Sequence, residues 1–134
     1  VKETLTELKA AGLTLGVVTG KRRPLALRGL RLFGLDTYMK AVVTPEDTTE
    51  HKPHPAPVLK ALDLLGEDPH RTIMVGDSTL DLACARAAGT YTAAVSWSFA
   101  PLELLQAEKP DFILKRMSDL INICLTMGIR SKTI

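Results

Sequence analysis

Three short polar segments of the chain carry groups that could bind or transfer a phosphoryl group. The first is Thr19-Gly20-Lys21, with a hydroxyl and backbone N–H groups, and the second is Lys52-Pro53. The third, residues 76–81, reads Gly-Asp-Ser-Thr-Leu-Asp and carries the carboxylates Asp77 and Asp81. Hydroxyl, ammonium and N–H groups bind anions, and a carboxylate pair suits Mg²⁺, which takes one or two carboxylates and keeps several waters. Together they predict a phosphoryl-transfer site.

Alternating helices and strands must position these groups. The apolar patterns predict strands at 13–19, 41–44, 72–76, 91–95 and 111–114, and helices at 1–11, 24–33, 58–65, 79–88, 101–108 and 117–125. This order predicts an α/β fold with a doubly wound parallel sheet in one domain over residues 1–134. Ligands bind beyond the carboxyl ends of parallel strands, so Thr19 and Asp77 are expected at one edge of the sheet, with Lys52 beside them.

Each candidate residue also has an ordinary structural explanation. Thr19 suits a strand because it is β-branched, and Lys52 alone is typical of a solvated surface lysine. Ser78 and Asp81 match a helix capping box, in which the serine hydroxyl caps the helix. Because Ser78 can fill that role, Asp77 is left free to bind a metal. The proline after Lys52 favours extended backbone and hence a positioned side chain.

Composition narrows the class of protein. The 134 residues are 46% hydrophobic and 24% charged with a net charge of +2, which fits one globular domain and gives no indication of a nucleic-acid partner. Charged or turn residues interrupt every apolar run before the roughly 18 residues of a membrane span, so no membrane partner is expected. Cys84 and Cys124 lie in apolar helical patterns, which predicts buried thiols in a reducing compartment such as the cytoplasm.

The combination of motifs resembles the haloacid dehalogenase superfamily of phosphohydrolases, especially the phosphoglycolate phosphatase group and its bacterial pyrophosphatase branch. The resemblance rests on the three polar segments and on supporting stretches at 43–47, 94–97, 109–112 and 117–120. It implies that Thr19 and the Gly20 N–H bind phosphoryl oxygens and that Lys52 neutralises charge on the phosphoryl group. It also implies that Asp77 binds Mg²⁺, supported by Asp81, and that the substrate is a small phosphomonoester or pyrophosphate.

One departure from the family is a missing motif. The family's reaction uses an Asp-x-Asp motif at the end of a central strand, where the first Asp forms an aspartyl-phosphate, and no Asp-x-Asp occurs in these 134 residues. The resemblance therefore implies a carboxy-terminal part that lacks the first strand and the helical cap, and that is inactive alone. The strands ending at Thr19 and Asp77 would then be unpaired, or would pair with each other. The alternative is a non-catalytic phosphate- or metal-binding remnant or partner protein.

Overall fold

The computed structural model describes residues 2–98, 100–129 and 131–133. The strands are β1 (Thr14–Val18), β2 (Ala41–Val43), β3 (Thr72–Gly76), β4 (Tyr91–Val95), β5 (Phe112–Leu114) and β6 (Ser131–Thr133). The α-helices are α1 (Lys2–Ala10), α2 (Arg23–Leu32), α3 (Ala56–Leu65), α4 (Thr79–Ala88), α5 (Leu102–Ala107) and α6 (Asp119–Met127). Single 3₁₀ turns at Asp36–Tyr38 and Pro69–Arg71 precede β2 and β3.

The strands form one six-stranded parallel sheet in the order β2-β1-β6-β3-β4-β5. Alternate residues of each strand enter separate apolar layers, as expected for a sheet covered on both faces. Leu15 and Ile73 lie in a core cluster with residues of α1 and α6, whereas Val18 and Met74 lie in one with residues of α3 and α4. The predicted doubly wound α/β fold is confirmed.

Glycine ends two of the predicted helices where the sequence placed it. Gly66 follows α3 with φ 67°, and Gly89 follows α4 with φ 86°. Both values fall in the left-handed region that costs a residue with a Cβ free energy. In each case the glycine N–H donates to a carbonyl of the last helical turn, so the chain can leave the helix and enter the next strand.

The last helix differs from prediction, since it begins at Asp119 rather than 117. The Asp119 carboxylate accepts the N–H groups of Lys115 and Arg116 and holds the preceding residues in a turn.

The centre of the sheet corrects one expectation. The strands ending at Thr19 and Asp77 are neither unpaired nor paired with each other, because β6 lies between β1 and β3 and is parallel to both. The apolar pattern of the sequence predicts no strand at 131–133. A three-residue segment can enter the sheet here because two parallel strand edges offer it backbone hydrogen-bonding groups on both sides.

Both cysteines are buried, as predicted. Burial raises the pKa of the Cys84 thiol, and it raises the pKa of Cys124 to about 11. Neither thiol is therefore ionised near neutral pH, which is the behaviour of a core side chain rather than of a reactive nucleophile. In the described part of the chain, no helix has the length and apolar character needed to cross a bilayer.

Candidate active site

The side chains predicted to bind phosphate and metal lie around one cavity at the carboxyl edge of the sheet. The cavity has a volume of about 580 Å³, and its lining includes Thr19, Gly20, Lys52, Asp77 and Asp81. Thr19 and Gly20 directly follow β1, and Asp77 directly follows β3, because parallel strands end at the same edge of the sheet. Asp81 lies in the first turn of α4. The loop between β2 and α3 brings Lys52 to the same place.

The turn after β1 leaves its polar groups accessible. The Thr19 N–H donates to the Val43 carbonyl at 3.0 Å, which continues the pairing of β1 with β2 by one residue. The Thr19 hydroxyl then accepts the Lys21 N–H at 3.1 Å. A Cβ added to Gly20 would meet no atom within 4 Å, so the space around that residue is open. The turn thus presents a hydroxyl and an open backbone segment to the cavity, a combination that suits an anion.

Lys52 is held by two oxygen acceptors. Its Nζ lies 2.5 Å from Asp81 Oδ1 and 3.0 Å from the carbonyl oxygen of Val18. The side chains of Lys52 and Asp81 are only 15% and 13% exposed, so this ion pair is largely removed from solvent. Burial alone would raise the pKa of Asp81, but the Lys52 ammonium and hydrogen bonds to the carboxylate hold it below its usual value. Asp81 is therefore ionised, and Lys52 is positioned rather than freely solvated.

Asp77 is the more exposed of the two carboxylates. The neighbouring Asp81 carboxyl, by hydrogen bonding, together with burial and like-charge repulsion, raises the pKa of Asp77. The Asp77 N–H also donates to Asp81 Oδ2 at 3.2 Å, so the two residues form one unit at the start of α4. Two oxygen-rich side chains that repel each other are a suitable donor set for a divalent cation, whose charge relieves the repulsion.

The two carboxylates of Asp77 and Asp81 suit Mg²⁺ better than a metal ion that takes all its ligands from protein side chains. Within residues 2–98, 100–129 and 131–133, no three His, Cys, Asp or Glu side chains come together as a ligand group. Mg²⁺ commonly takes one or two carboxylates and fills its other positions with water and substrate oxygens. Asp77 and Asp81 therefore fit a Mg²⁺ ion that depends on further oxygens from outside these two side chains.

A glycine and a serine set the geometry of the turn between β3 and α4. A Cβ at Gly76 would lie 2.6 Å from the Cβ of Asp81, so the close approach of β3 and α4 requires glycine at this position. Ser78 accepts the Asp81 N–H at 3.2 Å and is the N-cap of α4, as predicted. The Asp81 carboxylate does not complete the reciprocal capping box, because it bonds to Lys52 and to the Asp77 N–H instead.

Two sets of site contacts were not predicted from the sequence. The Ser98 hydroxyl donates to the Asp77 carbonyl and accepts the Ala100 N–H, which ties the loop after β4 to the turn between β3 and α4. Arg23 joins the loop after β2 to the start of α2 through Nη2, which donates to Asp47 Oδ2 and to the Val42 carbonyl. Ser98 follows a strand at the same edge as Thr19 and Asp77, so the rule that located those residues would also have located Ser98.

A smaller cavity of about 300 Å³ adjoins the site. It shares Thr19, Gly20, Lys52 and Leu80 with the larger cavity. Its remaining lining residues are the apolar Pro45 and Pro57 and the more polar Thr44, Thr48 and His51. Thr19, Gly20 and Lys52 therefore lie between two cavities, and only the larger one also reaches Asp77 and Asp81.

Comparison with known proteins agrees with this arrangement. The model of the haloacid dehalogenase-like hydrolase family matches residues 1–95. The chain is 48% identical over 123 residues to the pyrophosphatase PpaX of Bacillus pumilus, covering 92% of the chain and 57% of that protein. It is 47% identical over 128 residues to the pyrophosphatase PpaX of Bacillus cereus strain AH820, covering 96% of the chain and 59% of that protein. It thus spans less than three fifths of the length of these relatives.

A solved structure matches both sequence and fold. The crystal structure of a predicted phosphoglycolate phosphatase from Haemophilus somnus 129pt superposes with a TM-score of 0.84 at 33% identity, covering 92% of the chain and 55% of that protein. The coverage is again nearly the whole of this chain and little more than half of the other. Since the family model extends over well more than half of the 134 residues, the chain belongs to the haloacid dehalogenase-like hydrolase family.

Proposed function

We propose that residues 1–134 are a single core domain that supplies the phosphoryl-binding and metal-binding groups of a Mg²⁺-dependent phosphatase. The observation that carries the proposal is that Thr19, Lys52, Asp77 and Asp81 line one cavity. The substrate is a small phosphomonoester or pyrophosphate. The pyrophosphatase names of the relatives at 48% and 47% identity favour pyrophosphate. No nucleic-acid or membrane partner is part of the proposal, and the proposed location is the cytoplasm.

In this proposal, Thr19, Gly20 and Lys52 bind the phosphoryl group. The Thr19 hydroxyl and the backbone N–H at Gly20 donate to its non-bridging oxygens, and the Lys52 ammonium neutralises their charge. Lys52 is suited to this role because the Val18 carbonyl and Asp81 orient its Nζ toward the cavity edge before any ligand binds. Donors that are already oriented need no reorganisation when charge develops on phosphoryl oxygens.

Asp77 and Asp81 hold Mg²⁺ in the proposed enzyme. A Mg²⁺ ion held by these residues would supply positive charge for phosphoryl transfer and would favour the ionised form of Asp77 in spite of its neighbour. Asp81 has a second role, because its carboxylate also orients Lys52. The Ser98 hydroxyl, which donates to the Asp77 carbonyl, keeps the turn that carries the carboxylate in place.

The nucleophile of the proposed reaction is an aspartate outside residues 1–134. Its attack on phosphorus forms an aspartyl-phosphate while the P–O bond to the leaving group breaks, and the leaving oxygen takes up a proton and departs as phosphate or an alcohol. Water then hydrolyses the aspartyl-phosphate to aspartate and inorganic phosphate. No Asp-x-Asp motif occurs among the 134 residues, and the 580 Å³ cavity leaves room beside Lys52 and Asp77 for a further carboxylate. Residues 1–134 alone are therefore expected to bind phosphate and Mg²⁺ weakly and to release no phosphate from pyrophosphate or phosphoglycolate.

The test separates binding from turnover. Calorimetric titration with MgCl₂ and with inorganic phosphate should detect binding that Asp77→Asn and Lys52→Met weaken respectively, while phosphate release stays at the background rate. Asp63→Asn, which removes an exposed carboxylate on α3, is the matched control and should leave both titrations unchanged. Robust turnover that is lost in Asp77→Asn would contradict the external nucleophile. Absence of both Mg²⁺ and phosphate binding would contradict the proposed site.

The second candidate is a non-catalytic phosphate- or metal-binding protein, which is favoured by the same lack of an Asp-x-Asp motif. The two proposals differ in the longer protein rather than in residues 1–134. A full-length form that hydrolyses pyrophosphate in the presence of Mg²⁺ supports the enzyme. A full-length form that binds these ligands without turnover supports the binding protein.

A further inference from the structure

The smaller cavity and the carboxylates lie on different sides of β1. Because β1 lies between β2 and β6 in the sheet, it has a neighbour on each side. The lining of the larger cavity continues from β1 to the residues after β3 and β4, where it includes Asp77 and Trp97. The lining of the smaller cavity continues from β1 to the residue after β2 and the start of α3, where it includes Thr44 and Pro57. A phosphoryl group bound at Thr19 therefore has a different space on each side.

This placement matches the geometry of phosphoryl transfer. The attacking and leaving oxygens lie roughly in line through phosphorus, so they need space on opposite sides of the phosphoryl group. In the proposed function, the nucleophile takes the larger cavity, beside Lys52 and Asp77. The smaller cavity is then the space left for the group on the other side of phosphorus, which is the part of the substrate that departs.

The hydroxyl protons of the threonines in the smaller cavity are already used within the protein. The Thr44 hydroxyl donates to Asp47 Oδ2 at 3.0 Å, and the Thr48 hydroxyl donates to the Glu50 carbonyl at 2.6 Å. A hydroxyl has one proton, so each threonine offers a ligand only its methyl group and the lone pairs of its oxygen. These side chains therefore supply no donor for a second anionic group.

Carbon surface makes up much of the remaining wall. The side chains of Pro45, Pro57 and Leu80 contain no polar atom. Leu80 is 51% exposed although it is apolar, so its side chain is accessible to a ligand. Among the lining residues that the structure describes, none is acidic, and the cationic Lys52 is assigned to the phosphoryl group. Apart from the exposed His51, the wall offers an incoming group apolar contact rather than charge.

The loop that forms one side of the cavity is held by its own hydrogen bonds. The Asp47 carboxylate accepts the Thr44 N–H at 2.7 Å, and the Asp47 N–H donates to the Thr44 carbonyl at 3.0 Å. Arg23 donates to the same carboxylate and joins the loop to α2. The His51 carbonyl accepts the His54 N–H at 2.9 Å, which forms a second turn before α3. A cavity whose wall is fixed in this way loses little conformational entropy when a ligand binds.

We propose that the smaller cavity binds the alcohol part of the substrate and selects phosphomonoesters of short, apolar alcohols. This inference rests on the proposed function, because Thr19, Gly20 and Lys52 must hold the phosphoryl group. The bond that breaks is the P–O bond to this alcohol, whose oxygen takes up a proton. The volume of about 300 Å³ equals that of about ten water molecules, which suits a short carbon chain. The leaving phosphate of pyrophosphate gains nothing from the apolar wall.

The first test lengthens the ester without changing its charge. Methyl phosphate and propyl phosphate carry the same phosphoryl group and differ by two CH₂ groups. Each fully buried CH₂ group tightens binding about fourfold, so propyl phosphate should bind about tenfold more tightly in calorimetric titration of the protein with MgCl₂ present. Equal affinities of the two esters would overturn this inference alone. If neither ester nor inorganic phosphate bound, the proposed function would fail and the inference with it.

The second test replaces the apolar chain with a charged one of similar length. Phosphoglycolate has a carboxylate where propyl phosphate has its terminal ethyl group. It should bind at least about fivefold more weakly than propyl phosphate, because the carboxylate would lose water and gain no donor from the threonines. Tighter binding of phosphoglycolate would overturn the proposal, and its loss in His51→Leu would identify the imidazole as the group that binds the carboxylate.

A pair of leucine variants tests the wall of the smaller cavity. Leu80→Asn keeps the size of the side chain and makes it polar, so the ratio of propyl to methyl phosphate affinity should fall below about threefold. Taking the ratio within one variant cancels any change in phosphoryl binding. Leu64→Asn makes the same change at a leucine of α3 that is 45% exposed and lines neither cavity, and it should keep the wild-type ratio. An unchanged ratio in Leu80→Asn would overturn the proposal.

A tryptophan reports on the other cavity. Trp97 is the single tryptophan of the chain and lines the larger cavity but not the smaller one. Its indole N–H resonance should therefore have the same chemical shift in the complexes with methyl and propyl phosphate, while the amides of residues 44–51 should differ between them. A shift of the indole resonance by propyl phosphate alone would place the carbon chain in the larger cavity and overturn the proposal.

Discussion

Burial of Lys132 in β6 makes the stability of the protein depend on pH. Desolvation lowers the pKa of its amine from 10.5 to about 7, and the nearby Cys124 thiol opposes this lowering only in part. β1 and β3 contribute Leu15 and Ile73 beside it, and neither can carry charge. The unfolded chain therefore binds more protons than the folded chain between pH 7 and pH 10.5. The contribution of Lys132 to the free energy of unfolding therefore rises with pH through that range.

The size of the effect follows from the shifted pKa. One pKa unit corresponds to about 1.36 kcal/mol, so a change from pH 7 to pH 9 should raise the free energy of unfolding by about 2–3 kcal/mol. For a protein of this size, that gain raises the melting temperature by about 10 °C. The pKa of Cys124, raised from 9.0 to about 11, acts in the opposite direction but only above pH 9. The measurement is therefore restricted to the interval from pH 7 to pH 9.

Urea unfolding of the wild type and Lys132→Met at pH 7, 8 and 9 tests whether the Lys132 amine makes stability depend on pH. The variant retains Cys124 and every histidine, so subtraction isolates the contribution of the lysine amine. Lys132→Met should be the more stable protein at pH 7, and its advantage should shrink by about 2–3 kcal/mol at pH 9. The contrary result is a difference in the free energy of unfolding between the two proteins that stays constant from pH 7 to pH 9. With residues 131–133 still protected from hydrogen exchange, it would show that the Lys132 amine does not cause the pH dependence.

Three other changes test the active-site geometry. Asp77→Asn should weaken Mg²⁺ binding at least tenfold in calorimetric titration, whereas Asp63→Asn should not change it, and equal affinities would exclude Asp77 as a ligand. Lys52→Met should lower the free energy of unfolding in urea at pH 7 by about 3 kcal/mol, because it leaves the largely buried Asp81 carboxylate without its cation. A decrease in the free energy of unfolding below about 0.5 kcal/mol, the value typical of an exposed ion pair, would contradict a largely buried pair of Lys52 and Asp81. Gly76→Ala should cost about 2–3 kcal/mol in thermal unfolding, since its Cβ would lie 2.6 Å from that of Asp81, and an unchanged melting temperature would mean that β3 and α4 separate easily.

The sequence was most informative where local patterns determine structure. Gly66 and Gly89 end helices because the left-handed backbone at these positions is a local requirement, and Ser78 caps α4 for a similarly local reason. The convergence of Thr19 and Asp77 also followed from the sequence, because parallel strands that alternate with helices have their carboxyl ends at one edge. These features need no knowledge of distant contacts.

The structural features that the sequence did not predict depend on tertiary contacts. Ser131–Thr133 contains no apolar alternation, and a lysine at its centre argues against a buried strand, so only the free edges of β1 and β3 explain its position. The Arg23 and Asp47 ion pair joins residues from separate loops, and no local pattern indicates it. The Lys52 contact with Val18 was likewise missed, since it uses a backbone carbonyl that every residue possesses.

The central position of β6 also has a consequence for protein synthesis. Residues 131–133 leave the ribosome after every other described residue, yet they join the two halves of the sheet. β3, β4 and β5 are consecutive neighbours in the sheet and can associate while translation continues, as can β1 with β2. Their union through β6 is a contact between the first and the last of the described strands, so β6 can join β1 to β3 only after residues 131–133 have left the ribosome.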